Sequence, residues 1–410
     1  MLTALIGPTL GAGRAAAQTP LDRVDLSGEV RVRSELDARS ASQDADIATL
    51  LRTRLGVGVA LDSAVNVFIQ LSDSRAFGEE ENTLTDASAD RLDLHQGFIQ
   101  WAPFERSWLR AGRQELAFAD ERLIGTVSWT NVARAFDGIR GHLERGRWVI
   151  DAFAMALRER DLLLAIGLDP RLNEGLNLDR DLFGVWTSTG WLDLFGLADR
   201  SASEPGLLDI DRLTLGGYGS AALGTWRARL TVAGQLGEQT PQGMPRQDIR
   251  AFMVSGELSR DWEGASGLVT GVQVDYLSGD HDPLDDEYGA FNTLYATNHA
   301  FYGFMDLFLD IPRQTGFRGL IDYIARGTAR VEDWTLRADL HALQLAESNA
   351  AGDGYVGLEL DLTARYTVAR GFVLQTGYSF FDPGAAGDAP PVGLGDELLH
   401  WGYIQGTAGF

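Results

Sequence analysis

The chain has 410 residues, 45% of them hydrophobic and 10% aromatic, which is enough apolar surface for a folded core and too much for a disordered acidic tail. The absence of cysteine excludes disulfides, thiolate nucleophiles and iron–sulfur clusters, and six histidines leave little material for a histidine-rich metal centre. A formal charge of −23 excludes a nucleic-acid footprint, which needs a basic face; all 35 basic residues are arginine, a bias read first as that of a GC-rich genome.

Residues 1–17, MLTALIGPTLGAGRAAA, are small and apolar, and Ala15-Ala16-Ala17 before Gln18 fits the cleavage rule of a secretory signal. No basic n-region precedes the apolar part, so the expectation is a signal peptide that has lost upstream residues, with 18–410 as a single domain. No later stretch reaches the roughly 18 consecutive apolar residues of a spanning helix. An exported chain without helical spans is periplasmic, secreted or an outer-membrane barrel.

Period two dominates the rest of the chain. Leu51, Thr53, Leu55, Val57, Val59 and Leu61 alternate with Arg52, Arg54, Gly56, Gly58 and Ala60, and Trp334, Leu336, Ala338, Leu340 and Ala342 alternate with Thr335, Arg337, Asp339 and His341. Val356, Leu358, Leu360, Leu362, Ala364, Tyr366 and Val368 make one apolar face of a single strand. That exceeds a typical globular strand of about five or six residues and suits a tilted transmembrane strand of about 9–11. Alternation and turn residues predict eighteen strands, near 25–37, 49–62, 65–76, 91–102, 107–118, 133–145, 147–158, 181–189, 190–200, 211–223, 225–237, 246–260, 267–279, 316–329, 332–345, 354–369, 371–382 and 397–410. The fourth, fifth and tenth alternate too poorly for their faces to be assigned. Links after even-numbered strands are short, as at Asp62-Ser63-Ala64, Gly146, Gly224 and Arg370, whereas 77–90, 119–132, 159–180, 280–315 and 383–396 are long. The expected fold is therefore an all-β, antiparallel transmembrane barrel of 18 strands with short periplasmic turns and long extracellular loops.

If the apolar faces meet lipid, the alternate positions face inward, because lipid-exposed charge is costly. Parity then places Arg31, Arg33, Arg52, Arg54, Arg227, Arg229, Arg318, Arg326, Arg337 and Arg365 in the lumen, with Glu29, Glu35, Asp275, Asp322, Asp339, Glu359 and Asp361 among them. A barrel this wide is expected to hold an aqueous channel and not a packed core. One reading is a path for anions or anionic sugars, gripped by arginine forks; the plainer one is that arginines and acids pair across the ladder and merely fill the lumen. His142 and His341 read as hydrogen-bonded lumen fillers.

The acid excess gathers in the long connections, including Glu79-Glu80-Glu81 and 280–287, which gives an acidic outer rim. Asp280, Asp282 and Asp285 are candidate oxygen ligands for a structural calcium ion, against the alternative of a solvated loop bridged to lipopolysaccharide by divalent ions. The aromatic-rich segment 291–315, with Phe291, Tyr295, Phe301, Tyr302, Phe304 and Phe308, folds either over the outer mouth or inward as a constriction, and packing on the rim is the expectation.

Two segments carry a resemblance. Gly112-Arg113-Gln114, Glu121-Arg122-Leu123-Ile124-Gly125, Trp129, Arg134 and Phe136-Asp137-Gly138-Ile139-Arg140 form the first. Ser278-Gly279-Asp280, Phe291-Asn292, Leu294-Tyr295, Asn298-His299 and Tyr302-Gly303 form the second. Together they resemble the alginate export family of outer-membrane proteins. The resemblance implies an 18-stranded monomeric barrel, passage of a polyanionic polysaccharide, and a lumen or constriction role for Arg113, Arg122, Arg134 and Arg140, while the composition leads to the expectation of no cofactor. The terminal Phe410 resembles that of barrels handed to the outer-membrane insertion machinery, which with lipid and lipopolysaccharide completes the expected partners. The competing functions are a general diffusion porin without polysaccharide preference and a rim-sited barrel enzyme. The latter lacks any recognisable set of serine nucleophile, base and orienting acid.

Overall fold

A computed structural model describes residues 23–40, 45–78, 92–158, 179–202, 209–241, 245–262, 264, 267–282 and 285–410. The proposed signal segment, the Glu79-Glu80-Glu81 run and most of 159–180 lie outside the described residues.

Eighteen strands form the wall: β1 Val24–Ala38, β2 Asp46–Ala60, β3 Val65–Ala76, β4 Leu92–Phe104, β5 Ser107–Gln114, β6 Phe136–Arg145, β7 Trp148–Arg158, β8 Asp179–Ser188, β9 Leu192–Ala202, β10 Asp209–Leu223, β11 Trp226–Thr240, β12 Gln247–Asp261, β13 Val269–Leu277, β14 Leu320–Val331, β15 Trp334–Gln344, β16 Tyr355–Ala369, β17 Phe372–Pro383 and β18 Leu399–Gly409. Each pairs antiparallel with its sequence neighbours, and β1 pairs with β18 from Glu29↔Gly409 to Ala38↔His400, so the sheet closes. Closure leaves no sheet edge, the condition for placing strands in hydrocarbon. A two-residue ribbon, Glu287–Tyr288, pairs parallel with β12 at Asp248 and Ile249, beyond the end of the β12–β13 pairing. No described helix is long and apolar enough to cross a membrane.

The two faces separate as period two requires. Leu55, Ile69, Val185, Val232, Val254, Leu340 and Leu362 are exposed on the outside, while Arg31, Arg52, Asp275, Asp339 and Glu359 are buried inside. Six of the ten tryptophans, Trp101, Trp148, Trp191, Trp226, Trp262 and Trp334, are exposed and stand at the short-turn end, the position of an interfacial girdle. Arg260 reaches over Trp226 and Trp262, at 5.2 and 4.2 Å, as a snorkelling cation would.

The poor alternation of β4 has a local cause. The register shifts between Gln70 and Leu71 of β3, so that Gln96 faces Gln70 while Leu94 faces Leu71. The bulge turns His95 inward and leaves Leu92, Leu94, Ile99 and Trp101 outward, breaking a single phase into two. The fifth strand ends at Gln114 and the sixth begins at Phe136, so the expected ranges 107–118 and 133–145 are too long at that end. Gly112 and Gly138 face each other there at φ +126° and +158°; a Cβ on Gly112 would lie 2.2 Å from the Gly97 carbonyl oxygen.

Leu362, central in β16, faces outward, so Leu362→Arg is expected to cost about 2–4 kcal/mol of folding stability, as arginine does at a bilayer midplane. Urea titration of the barrel refolded into vesicles measures it, and a cost near zero would contradict the assigned lipid face.

Candidate functional site: the filled outer half of the barrel

Two connections expected outside the barrel fold into it. Segments 115–135 and 289–319 enter from the long-loop end and join each other: Tyr295 N donates to the Leu123 carbonyl at 2.9 Å, Gly125 N to the Tyr295 carbonyl at 2.8 Å, and Thr297 N to the Glu121 carbonyl at 3.0 Å. Trp129 stacks on His299 at 4.3 Å across the same junction. With inward side chains of the wall they build an apolar core that includes Leu116, Ile124, Met155, Leu182, Phe291, Tyr302, Phe308 and Trp401. The expectation of an aqueous channel without a packed core is thus corrected for this half of the interior. Wall side chains alone cannot fill so wide a barrel, and the chain fills it with its own loops. The rim-packing expectation for 291–315 is corrected in the same way. The segment reaches β16 in mid-wall, where Met305 N donates to Glu359 Oε1 at 2.9 Å and Phe304 N to Asp361 Oδ2 at 3.2 Å.

One wall is basic. On β1 and β2, Arg31 Nη1 donates to the Ser128 carbonyl at 2.9 Å and Nη2 to the Thr130 carbonyl at 2.9 Å. Arg52 Nη1 reaches the same two carbonyls at 2.9 and 3.0 Å, and its Nε and Nη2 hold Glu29. Arg33 donates to the Trp129 carbonyl at 2.7 Å, stacks over that indole at 4.2 Å and pairs with Glu35 at 2.6 Å. Arg54 donates to the Val132 carbonyl at 3.2 Å and stands 3.6 Å from Glu115. The turn 128–132 is therefore seated by its carbonyl oxygens on four guanidinium groups.

The other wall is acidic. Asp275, Asp322, Asp339, Glu359 and Asp361 are all buried. Arg122, on the inward hairpin, binds Asp275 at 2.7 Å and Asp120 at 3.1 Å and lies over Phe301 at 4.0 Å. His341 bonds Asp322 at 2.7 Å, and Arg326 and Arg337 both hold Asp339, at 2.9 and 2.8 Å. Gly303, at φ +89°, passes so close that a Cβ would lie 2.3 Å from the Glu359 carboxylate.

The remaining candidates divide by strand. Arg134 sits on the inward hairpin and donates to the Tyr295 and Ala296 carbonyls. Arg140 faces inward and binds Asp151 at 2.8 Å, as does His142 at 3.1 Å. Arg227 and Arg229 face the lumen nearer the short turns, paired with Asp261 and with Glu257. Arg365 is exposed on the inner face of β16 with no acidic partner among the described residues.

Two positions differ from expectation. Arg113 shares the outward phase of Leu109 and pairs at 2.6 Å with Asp137 on the outer surface, so it does not line the lumen. Arg318 precedes β14, because Gly316 and Gly319 turn the chain at positive φ; it donates to the His281 carbonyl at 3.2 Å from the inward segment and not from a strand. Among the described residues no three histidine or acidic side chains gather so as to hold a metal. Burial, with Asp285 nearby, pushes the Asp280 carboxyl up to about 6. Sequence parity also missed Arg110, half-buried on the inner face of β5, whose alternation was unreadable.

The seating of turn 128–132 predicts that Arg31→Ala with Arg52→Ala frees the hairpin and raises single-channel conductance and its noise; an unchanged trace would show that the carbonyl contacts do not hold it. For Asp280 the native carboxyl titrates higher than the unfolded one, near 3.9. The native state then binds the extra proton, and stability falls as pH rises through the window from about 4 to about 6. Thermal unfolding is expected to shift upward between pH 7 and pH 5, and Asp280→Asn to lose part of that shift.

Residues 22–162 match the family model described as alginate export, which spans β1 to β7 and the first inward hairpin. No curated protein sequence matches the chain. Among solved structures it is similar to the Acinetobacter baumannii OccAB2, at TM-score 0.62 and 11% identity over 95% of this chain and 98% of that one. A BenF-like porin from Pseudomonas fluorescens Pf-5 gives 0.61 and 11% over 94% and 98%. Pseudomonas aeruginosa OccK3 (OpdO) gives 0.60 and 14% over 94% and 96%. At these identities the likeness is one of fold. Residues 22–162 carry the sequence signature of alginate export proteins on an 18-stranded barrel of porin architecture, and the chain is a β-barrel protein of the bacterial outer membrane.

Proposed function

We propose that this barrel passes anionic solutes or a polyanionic polysaccharide, in the manner of alginate export, passively and without catalysing a reaction. The observation that carries the reading is the basic wall of β1 and β2. There Arg31 has no carboxylate partner among the described residues and is answered by neutral oxygens alone. Carbonyl and amide oxygens satisfy its donors without cancelling its charge, so a positive field remains to attract and orient anions. The alginate export signature on the same strands supports a polysaccharide as the solute. In this reading the protein is a monomer, meets lipid and lipopolysaccharide on its outer face, and reaches the membrane through the barrel insertion machinery.

The second reading is a general diffusion porin without polysaccharide preference. The porin named among the structural neighbours favours it, as do the many arginine–acid pairs that offset the interior charge. The rim-sited enzyme has no observation in its favour.

Planar-bilayer recordings in a salt gradient separate the first two. The expected current is anion-selective, is blocked by oligomeric uronates and not by neutral oligosaccharides, and loses roughly twofold or more of its anion preference in Arg31→Gln, since clefts of one sign concentrate counter-ions. Current indifferent to both sugars would leave the general porin.

A further inference from the structure

We propose that the short-turn mouth of the barrel carries a binding site for the carboxylate of an anionic sugar, built around Arg110. The proposal rests on the reading that anionic saccharides enter this barrel, and it names where they are first held.

Trp108 and Arg110 both face inward near the start of β5, and the β4–β5 pairing brings Phe98 beside them. The Arg110 guanidinium lies between two rings, 4.0 Å from Phe98 and 4.7 Å from Trp108. Its Nε and Nη2 both donate to the Gln100 side-chain oxygen, at 3.1 and 2.7 Å, so the group that orients it is neutral. Among the described residues no carboxylate pairs with Arg110 and nothing accepts from Nη1. The fork is thus flat, fixed and uncompensated, with Nη1 and the second proton of Nη2 left for an incoming acid.

Its directly opposed neighbour on β6 is Arg140. Like charges in facing cross-strand positions destabilise a sheet, and here Asp151 pairs directly with Arg140, at 2.8 Å, and not with Arg110. Aromatic surface continues on both sides: His142 stacks on Trp108 at 4.9 Å, and Phe68 lies 5.4 Å from Phe98. Phe68, Phe98, Trp108 and Arg110 are each half-buried, open enough to be reached from the lumen. A sugar ring offers one apolar C–H face and a uronic acid adds a carboxylate at its rim. Ring faces beside a bare guanidinium edge match that pair of features, and an anion lacking the ring uses only half of the site. Phe118 of the inward hairpin lies 5.0 Å from Arg140, so an occupant rests directly beneath the filled half of the barrel.

The test titrates the detergent-solubilised full chain with trigalacturonate, maltotriose and acetate by calorimetry. The expected result is saturable binding of the uronate, with at least tenfold weaker binding of the other two. Arg110→Gln and Arg110→Lys are each expected to weaken uronate binding at least tenfold. The lysine variant keeps the charge but loses the planar fork, and heat-modifiable gel migration confirms that each variant is folded. Unaltered uronate affinity in both folded variants would overturn the site. Equal affinity for maltotriose would overturn the carboxylate, and equal affinity for acetate the saccharide. Salt conductance of the unsubstituted protein tests the channel separately. Uronate binding lost in the Arg110 variants, from a protein that conducts no ions, would keep this site and sink the channel.

Discussion

Inside a bilayer no water is available to the backbone, so every amide and carbonyl of a spanning segment must find its partner within the protein. The closed ring from β1 to β18 answers that demand, down to the reciprocal bonds of 3.1 Å between Gly28 and Phe410 that finish the seam. Everything else depends on closure. One face of each strand becomes apolar because it meets lipid, and the other collects the charge that lipid excludes. A ring of eighteen strands is too wide for that second face to fill, and the inward segments 115–135 and 289–319 occupy the space.

The way these segments are held differs from one wall to the other. On β1 and β2 the guanidinium groups of Arg31, Arg33, Arg52 and Arg54 take backbone carbonyls of the turn 128–132. On β16 the carboxylates of Glu359 and Asp361 take backbone amides of the turn at Phe304 and Met305. Both arrangements bring backbone dipoles onto ionisable side chains of the wall; Arg33, Arg52 and Arg54 have acidic neighbours as well, whereas Arg31 is answered by neutral oxygens alone, which satisfies its donors and leaves its field in place. Arg31 is the clearest case, and it belongs to the segment that carries the alginate export signature. The first inward hairpin and the arginines beneath it lie within one matched stretch of chain, which therefore encodes both that hairpin and its seat.

Strand parity was legible because lipid imposes it residue by residue. The apolar phase of 358–368 and the inward phase of Arg52, Asp275, Arg337 and Glu359 needed no knowledge of neighbours, whereas Val356, beside a register shift, is buried in the interior core. It failed where pairing shifts the phase. The bulge opposite Gln70 reverses β4, and the register of β5 and β6 sends Arg113 to the outer surface beside Asp137 while hiding Arg110 among aromatic rings inside. Motif resemblance could not correct this, since Gly112-Arg113-Gln114 marks a place in the chain and not a side of the sheet.

An all-β chain of eighteen spanning strands, the alternation of short and long connections, and most of the inward charges follow from the residues alone, because each depends on local period and turn chemistry. The inward turn of two long connections, the seating of Arg31 on carbonyl oxygens, and the place of Arg110 beside Phe98 and Trp108 without an acid became visible only in the folded barrel. Those outcomes depend on contacts between distant parts of the chain, such as the one across 176 residues between Thr297 and Glu121, and on the width of the closed ring, quantities that no local pattern carries.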